Sequence, residues 1–348
     1  MRPGMRIVVV GATGNVGTSV VEALGRDAAV DSVLGLARRP TNARYPKTEF
    51  AAADVSRDDL VPHFRDADCV IHLAWLIQPS RDRRTLRATN VDGTARILDA
   101  VAATGVPAVV AASSIGVYSP GPKLPVDETW PRAGIPTSWY SRHKVEQERL
   151  LDRFESEHDV RVVRLRPALI MKRESAEEVR RLFTGPFLPS PLVKLGRLPL
   201  FPHVPGAIVQ VVHSHDVGEA YRLAATRDVR GAFNIAAEPE VDGKRVAAAI
   251  GARPVTVPAR LARALAAFAW HARLQPTSPD WIDLALGVPL LDCTRAREEL
   301  GWAPQHDAIE TVRELLVGLA DRAGGRTPPL RRGDRASEIA AGIGGKPV

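Results

Sequence analysis

The sequence predicts an α/β fold: a doubly wound parallel sheet with a smaller C-terminal subdomain. Three observations predict it. Short β-branched runs alternate with helical patterns between residues 6 and 165. A glycine-rich segment, Gly11-Ala12-Thr13-Gly14-Asn15-Val16-Gly17, joins the first run to the first helical pattern. Tyr140 and Lys144 stand four residues apart in a later helical pattern, with Ser114 upstream at the end of an apolar run.

Taken in order, residues 6–10 form a strand and 15–24 a helix. Residues 32–37 and 69–73 are strands, 89–104 a long helix, 108–112 a strand, 139–155 a helix and 161–165 a strand. Continuous apolar strands separated by helices indicate a parallel sheet covered on both faces. Right-handed crossovers wind it doubly. Residues 184–206 are dense in leucine and in proline, from Pro186 to Pro205, so no single helix spans them. They read as a loop-rich apolar insertion, a lid or pocket wall. Further strands are expected at 209–213 and 232–235, and helices at 261–274 and 308–320. From Asp321 the chain turns to Gly, Pro and Arg, and 321–348 is expected to be a flexible tail.

Composition narrows the class. The 348 residues are 45% hydrophobic and 25% charged, as in ordinary soluble globular proteins. The net charge of +7 is spread along the chain. With no zinc-finger spacing and no basic helix interleaved with aromatics, no nucleic-acid partner is expected. Cys69 and Cys293 form neither a disulfide framework nor a metal-ligand spacing. Cys69, in an apolar run, reads as a buried inert thiol. The apolar run after Arg6 is too short for a secretory signal. Residues 261–274, interrupted by Arg263, His271 and Arg273, are too short and too charged to span a bilayer. A reduced, cytoplasmic protein with no membrane partner is expected.

Glycine is needed where backbone turns sharply, where it approaches a pyrophosphate, and where helix and strand pack closely. A helix N-terminus offers phosphate free N–H groups and a positive dipole end. Between a strand and a helix, the 11–17 segment is therefore a dinucleotide-binding opening of the Rossmann type. The next strand should end near the adenosine ribose, where an acidic residue favours NAD and an arginine favours NADP. The run Gly35-Leu36-Ala37-Arg38-Arg39-Pro40 has no acidic residue, so Arg38 predicts NADP(H), with NAD as the alternative. Residues 1–165 are then the dinucleotide domain, rejoined by 207–236. Residues 166–206 and 237–320 form the substrate-binding subdomain.

Helix positions i and i+4 share a face, which brings the Lys144 ammonium toward the Tyr140 phenol. A phenol ionises near pH ~10, and a nearby cation lowers that value. A proton exchanger poised near working pH is what carbonyl reduction or alcohol oxidation requires.

Further motifs follow the glycine segment in order. They are Asp54-Val55, Ile71-His72-Leu73-Ala74, Asn90-Val91-Asp92-Gly93-Thr94, Ser113-Ser114 with Val117-Tyr118, Tyr140 with Lys144, and Arg166-Pro167. The run from Asp292 to Pro304 closes the series. Together they resemble the extended short-chain dehydrogenase/reductase family, of the NAD-dependent epimerase/dehydratase type, over roughly residues 5 to 318. The resemblance implies that Tyr140 is the general acid/base and that Ser114 hydrogen-bonds the reacting oxygen. It implies that Lys144 binds the nicotinamide ribose and depresses the tyrosine pKa. It also implies cofactor contacts from Gly11, Thr13, Gly14, Asn15, Val16 and Gly17 at the phosphates and from Asp54 and Val55 at the adenine. Leu73, Ala74, Tyr140, Lys144 and Pro167 would lie along the remainder. Asn90 would position a helix. A homodimer would form through the helices around 89–104 and 139–155.

The pattern departs from that of sugar-nucleotide epimerases in two places. The Asn expected after strand 161–165 is absent from Arg166-Pro167-Ala168-Leu169-Ile170-Met171, and Val209-Gln210-Val211 lacks a diphosphate-clamping Arg. Arg180, Arg181 or Arg197 are candidate substitutes. The apolar insertion (Phe183, Phe187, Leu188, Leu192, Val193, Leu195, Leu198, Leu200, Phe201), with Trp75, Trp130 and Trp139 near the expected cleft, points to a small-molecule substrate with a large hydrophobic part. Packed core or a dimer surface is the other reading of these side chains. His213 and His215 share a strand face, but spacing places no third ligand, so no metal is expected. Three functions remain open: an NADP(H)-dependent oxidoreductase with net turnover, a nucleotide-sugar epimerase or dehydratase recycling tightly bound NAD, and a non-catalytic NADP-binding sensor.

Overall fold

The first apolar run becomes the centre of a sheet. A computed structural model describes residues 4–186, 199–340 and 343. In it β1 (Met5–Val10) lies between β2 (Val30–Ala37) and β4 (Cys69–His72). Beyond β2 comes β3 (Thr48–Ala52), and beyond β4 come β5 (Ala108–Ala112), Arg161–Pro167 and Gly231–Ile235. All neighbours in this seven-stranded sheet run parallel. Ile7, Val8 and Val9 are fully buried, as a strand covered on both faces requires.

Two apolar clusters occupy the two faces. One joins the sheet to Val20, Val21 and Leu24 of helix α1 (Asn15–Arg26) and to Val217, Ala220 and Tyr221 of helix Ser214–Thr226. The other joins it to Ile97, Leu98 and Val101 of helix Gly93–Thr104 and to Leu151 and Phe154 of helix Trp139–Glu157. This is the doubly wound arrangement expected, with helices on both sides.

The helix expected at 89–104 is divided. A π-helical turn over Ala88–Asp92 precedes Gly93–Thr104. Within that turn the Asn90 amide donates to the Leu76 carbonyl at 2.8 Å and accepts from the Leu76 N–H at 2.7 Å. That two-point contact ties the turn to the chain leaving β4.

Three boundaries differ from expectation. Strand Val209–His213 stays out of the main sheet. It pairs with Leu169–Met171 and Ala237–Val241 in a separate three-stranded sheet. Only helix Ser214–Thr226 and strand Gly231–Ile235 of the 207–236 segment return to the dinucleotide domain. Within the proline-rich stretch, Leu200–His203 is a strand paired with Arg253–Thr256. Phe187, Leu188, Leu192, Val193, Leu195, Arg197 and Leu198 lie outside the described residues.

The expected free tail is corrected over 321–340. Thr327 and Leu330 are buried, and Arg180 pairs with Glu338 at 2.6 Å. Composition had suggested solvent, but the packing of Leu330 and the pairing of Arg180 outweigh the Gly, Pro and Arg content. No helix among the described residues is long and apolar enough to cross a membrane.

Candidate active site

The turn after β1 is shaped by two glycines and left open by a third. Gly11 has φ +92, and a Cβ there would stand 2.8 Å from the Ala74 amide nitrogen. A Cβ on Gly17 would stand 2.3 Å from the Gly11 carbonyl oxygen, so α1 could not close onto the turn. Gly14 differs. Its backbone is extended (φ −76, ψ 179), and its Cβ would meet nothing nearer than the Gly11 carbonyl at 3.7 Å. Among the described residues no steric contact demands glycine there, and the position opens onto the groove. Gly14 also leads into α1 without a side-chain cap of its own.

Gly11, Thr13 and Gly14 line this groove with Val55, Leu73, Ala74 and Arg38. Asn15 and Val16 open α1 beneath it. Arg38 faces the Asp54 carboxylate. The residues therefore fit a dinucleotide. Asp54 and Pro167 are not among the residues that line the groove. The Asp54 carboxylate accepts from the Ser56 N–H at 3.0 Å and the Ser56 hydroxyl at 2.7 Å, so it braces its own loop. Pro167 is buried at the end of its strand, opposite Ile235.

Sequence reasoning missed three features of this rim. The Thr327 hydroxyl donates to the Thr13 carbonyl at 2.7 Å, and Pro329 lines the groove. Glu178 lines it too, and its carboxyl accepts from the Asn15 N–H at the start of α1. Burial pushes Glu178 up to about 7, against the opposing pull of Arg181 and Lys172. Long-range contacts of this kind leave no mark in local sequence pattern.

Ser114, Tyr140 and Lys144 come together beside the groove. Ser138 caps their helix, its hydroxyl accepting from the Ser141 N–H at 3.3 Å. Tyr140 hydrogen-bonds the Ser114 side chain, whose oxygen also accepts from the Gly116 N–H at 3.0 Å. Lys144 is buried. Its Nζ donates to the Ala112 carbonyl at 2.5 Å and to Gln147 Oε1 at 3.0 Å, and lies 3.4 Å from the centre of the Trp75 ring.

The expected lowering of the tyrosine pKa does not appear. Burial holds the Tyr140 phenol above its ordinary value, and the Ser114 hydrogen bond only partly offsets it. Burial also drives Lys144 well below the ordinary amine range, opposed by the charge of Glu148. The Lys144 ammonium is directed at a carbonyl and an indole face rather than at the phenol.

A cavity adjoins Tyr140, walled by Trp139, Trp270, Trp281, Leu76 and Leu86, with Arg83, His143 and Asp280 among its polar groups. Trp281 packs on Tyr140 with ring centroids 5.1 Å apart, and Phe183 meets Trp281 at 5.0 Å. Trp75 and Trp139 are thus near the site. Trp130 is not: its indole N–H donates to the Ser119 carbonyl and the ring packs on the core. Arg180 and Arg181 are unavailable to a substrate phosphate. Arg180 is paired with Glu177 and Glu338, and Arg181 donates to the Arg331 and Pro329 carbonyls.

The fold brings a third imidazole, His306, to His213 and His215, which sequence spacing had not revealed. One ring nitrogen from each of the three lies within 4.8 Å of the others, so the fold supplies the third ligand that spacing did not. His213 Nδ1 accepts from the His215 N–H, His306 Nδ1 bonds Asp216 at 2.9 Å, and the His213 and His306 rings stack 4.0 Å apart.

With this geometry, similarity to known proteins is decisive. The model of the NAD dependent epimerase/dehydratase family matches residues 7–236. The chain belongs to that family. Among NAD-dependent epimerase/dehydratase relatives, the UDP-glucose 4-epimerase of Mycolicibacterium smegmatis is 30% identical over 329 residues, covering 90% of this chain and 97% of that protein. An uncharacterised protein of Mycobacterium tuberculosis, Rv2047c, is 28% identical over 323 residues. This chain spans only 31% of its length and of its counterpart in Mycobacterium bovis. The fold matches the UDP-glucose-4-epimerase of Stenotrophomonas maltophila, solved with NAD and formylated UDP-arabinopyranose (TM-score 0.68, 20% identity, 91% and 98% of the two chains). It also matches gox2253 (TM-score 0.69, 21% identity, 93% and 100%).

Proposed function

We propose that the protein is an NADP(H)-dependent oxidoreductase acting at a carbonyl or secondary-alcohol carbon of a small molecule with a large apolar part. The observation that carries this reading is the Tyr140–Ser114 hydrogen bond, with Lys144 four residues along the same helix and both Tyr140 and Lys144 packed on Trp75 of the glycine-lined groove. When bound, the nicotinamide ring supplies or accepts the hydride. Tyr140 Oη gives the proton to the substrate oxygen in reduction and takes it in oxidation. The Ser114 hydroxyl hydrogen-bonds that oxygen and fixes its position. Lys144 holds the nicotinamide ribose, and Gly11, Gly14 and the N–H groups of α1 that follow Asn15 hold the phosphates. Arg38 at the end of β2 supports the 2′-phosphate of NADP. The Trp139–Trp270–Trp281 wall excludes water and supports an apolar substrate body. The helices Gly93–Thr104 and Trp139–Glu157 form the homodimer contact, and the protein works in the cytoplasm.

A second reading, a nucleotide-sugar epimerase recycling NAD, is favoured by the epimerase relative. Purified protein separates the two. An oxidoreductase consumes added NADPH with its substrate. An epimerase retains NAD through purification and shows no net absorbance change at the nicotinamide band. Tyr140→Phe should lower turnover by at least about a hundredfold while leaving dinucleotide binding intact. Turnover surviving in Tyr140→Phe would remove Tyr140 from the chemistry. A protein that binds a dinucleotide but turns over neither class of substrate would be the sensor.

A further inference from the structure

We propose that Glu148 is a positioning residue of the acid/base centre: its buried carboxylate is the counter-charge that keeps the Lys144 amine protonated. The proposal rests on the catalytic reading above. Tyr140, Lys144 and Glu148 are spaced i, i+4 and i+8 along helix Trp139–Glu157, so they form one stripe. The Lys144 amine is buried with only neutral acceptors, Ala112 O and Gln147 Oε1, and the Trp75 face around it. Burial alone favours the neutral amine, which is a poorer donor to ribose hydroxyls than the ammonium.

Glu148 is 1% exposed yet stays a carboxylate. Arg166 grips it at two points, Nε to Oε1 at 2.8 Å and Nη2 to Oε2 at 2.7 Å. Arg132 Nη1 adds a third contact at 2.8 Å, and the Ser113 hydroxyl donates at 2.5 Å. These partners overcome desolvation and hold it down to about 2. The adjacent serines thus divide their work: Ser113 secures Glu148, and Ser114 faces Tyr140. The other titratable groups near Lys144 add no negative charge at neutral pH. His72, across on β4, is pushed down to about 3 by burial and by Lys144, and Tyr140 is held above its ordinary value. Tyr118, bonded to Arg166, is raised to about 12 by burial.

The competing possibility is that Glu148 only ties Arg166 and Tyr118 into the fold. Full-length wild type, Glu148→Gln and Glu148→Asp distinguish the two when NADPH and NADH affinities are titrated by fluorescence from pH 6 to 9.5, alongside thermal melts. Wild-type affinity should fall on the alkaline side. In Glu148→Gln that fall should move to lower pH, leaving binding about tenfold weaker than wild type at pH 9 and within about twofold at pH 6. Glu148→Asp should restore most of the loss. An unshifted profile in folded Glu148→Gln, or equal losses in Gln and Asp at every pH, overturns the proposal. If Glu148→Gln alone fails to fold, Glu148→Gln with Arg166→Met removes both buried charges and undergoes the same titration. Wild type that binds neither dinucleotide at any pH sinks the catalytic reading itself, and this proposal with it.

Discussion

Gly14 and Gly17 occupy one turn yet should respond to substitution in opposite ways. A Val side chain at Gly14 would start 3.7 Å from the nearest protein atom and project into the groove. Its backbone is already in a region any residue adopts. The fold should lose only the difference between Gly and Val at a helix N-cap, about 1 kcal/mol. For a protein of this size that is a melting shift of about 2 °C. Ligand stabilisation should vanish instead. At a dinucleotide concentration of a hundred times Kd, wild type gains about 2.7 kcal/mol, and Gly14→Val should gain none. Gly17→Ala inverts the pattern. Its methyl group would sit 2.3 Å from the Gly11 carbonyl oxygen, against backbone that cannot yield. The overpacking should cost at least about 1–3 kcal/mol without ligand. Thermal melts of the three proteins, with and without NADPH, NADP, NADH and NAD, read both effects. A Gly14→Val protein that keeps the full ligand shift refutes the assignment of phosphates to this groove. One that melts far below wild type refutes the inference that Gly14 is spared for a ligand.

Other outcomes follow from charge and packing. Glu148 is depressed from its ordinary value to about 2, so its contribution is complete above pH ~4.5 and disappears as pH falls toward 2; urea midpoints should drop over that window by an amount on the order of 3 kcal/mol. Glu178 is shifted the other way, up to about 7, so its carboxyl costs stability increasingly from pH ~4.5 to 7. Glu178→Gln should therefore match wild type at pH 4, melt higher at pH 8, and bind dinucleotide more tightly there because a negative charge leaves the phosphate end. Equal melting differences at both pH values would count against this. Thr327→Val leaves the Thr13 carbonyl without its partner and should cost about 1 kcal/mol in chemical denaturation. No change would mean that the contact does not persist in solution.

Much of the dinucleotide domain was legible because its signals are local. Apolar runs located β1, β4 and β5 to within a residue or so, and the i, i+4 spacing located Tyr140 and Lys144. β3 was absent from the expected strands, since its alternation is weak. The separate sheet of Val209–His213 was illegible because its partners lie far off in sequence and a buried strand looks alike in either sheet. Glu148 was within reach: the step from Lys144 to Glu148 repeats the step from Tyr140 to Lys144. What the pattern lacked was Arg166 opposite it, which only the sheet supplies. The sign of the Tyr140 shift was missed for a related reason. Spacing shows which charges are near, but burial decides how much each charged form costs.

Thr327 touches Thr13 across 314 positions of chain. The groove therefore takes one of its edges from residues synthesised 314 positions after the turn they complete. A nascent chain can pair its first strands and close its glycine turn early, but it must wait for that late arrival to finish the seat. Loss of the late segment, by proteolysis or premature termination, would leave a sheet that still assembles around a cradle missing one wall.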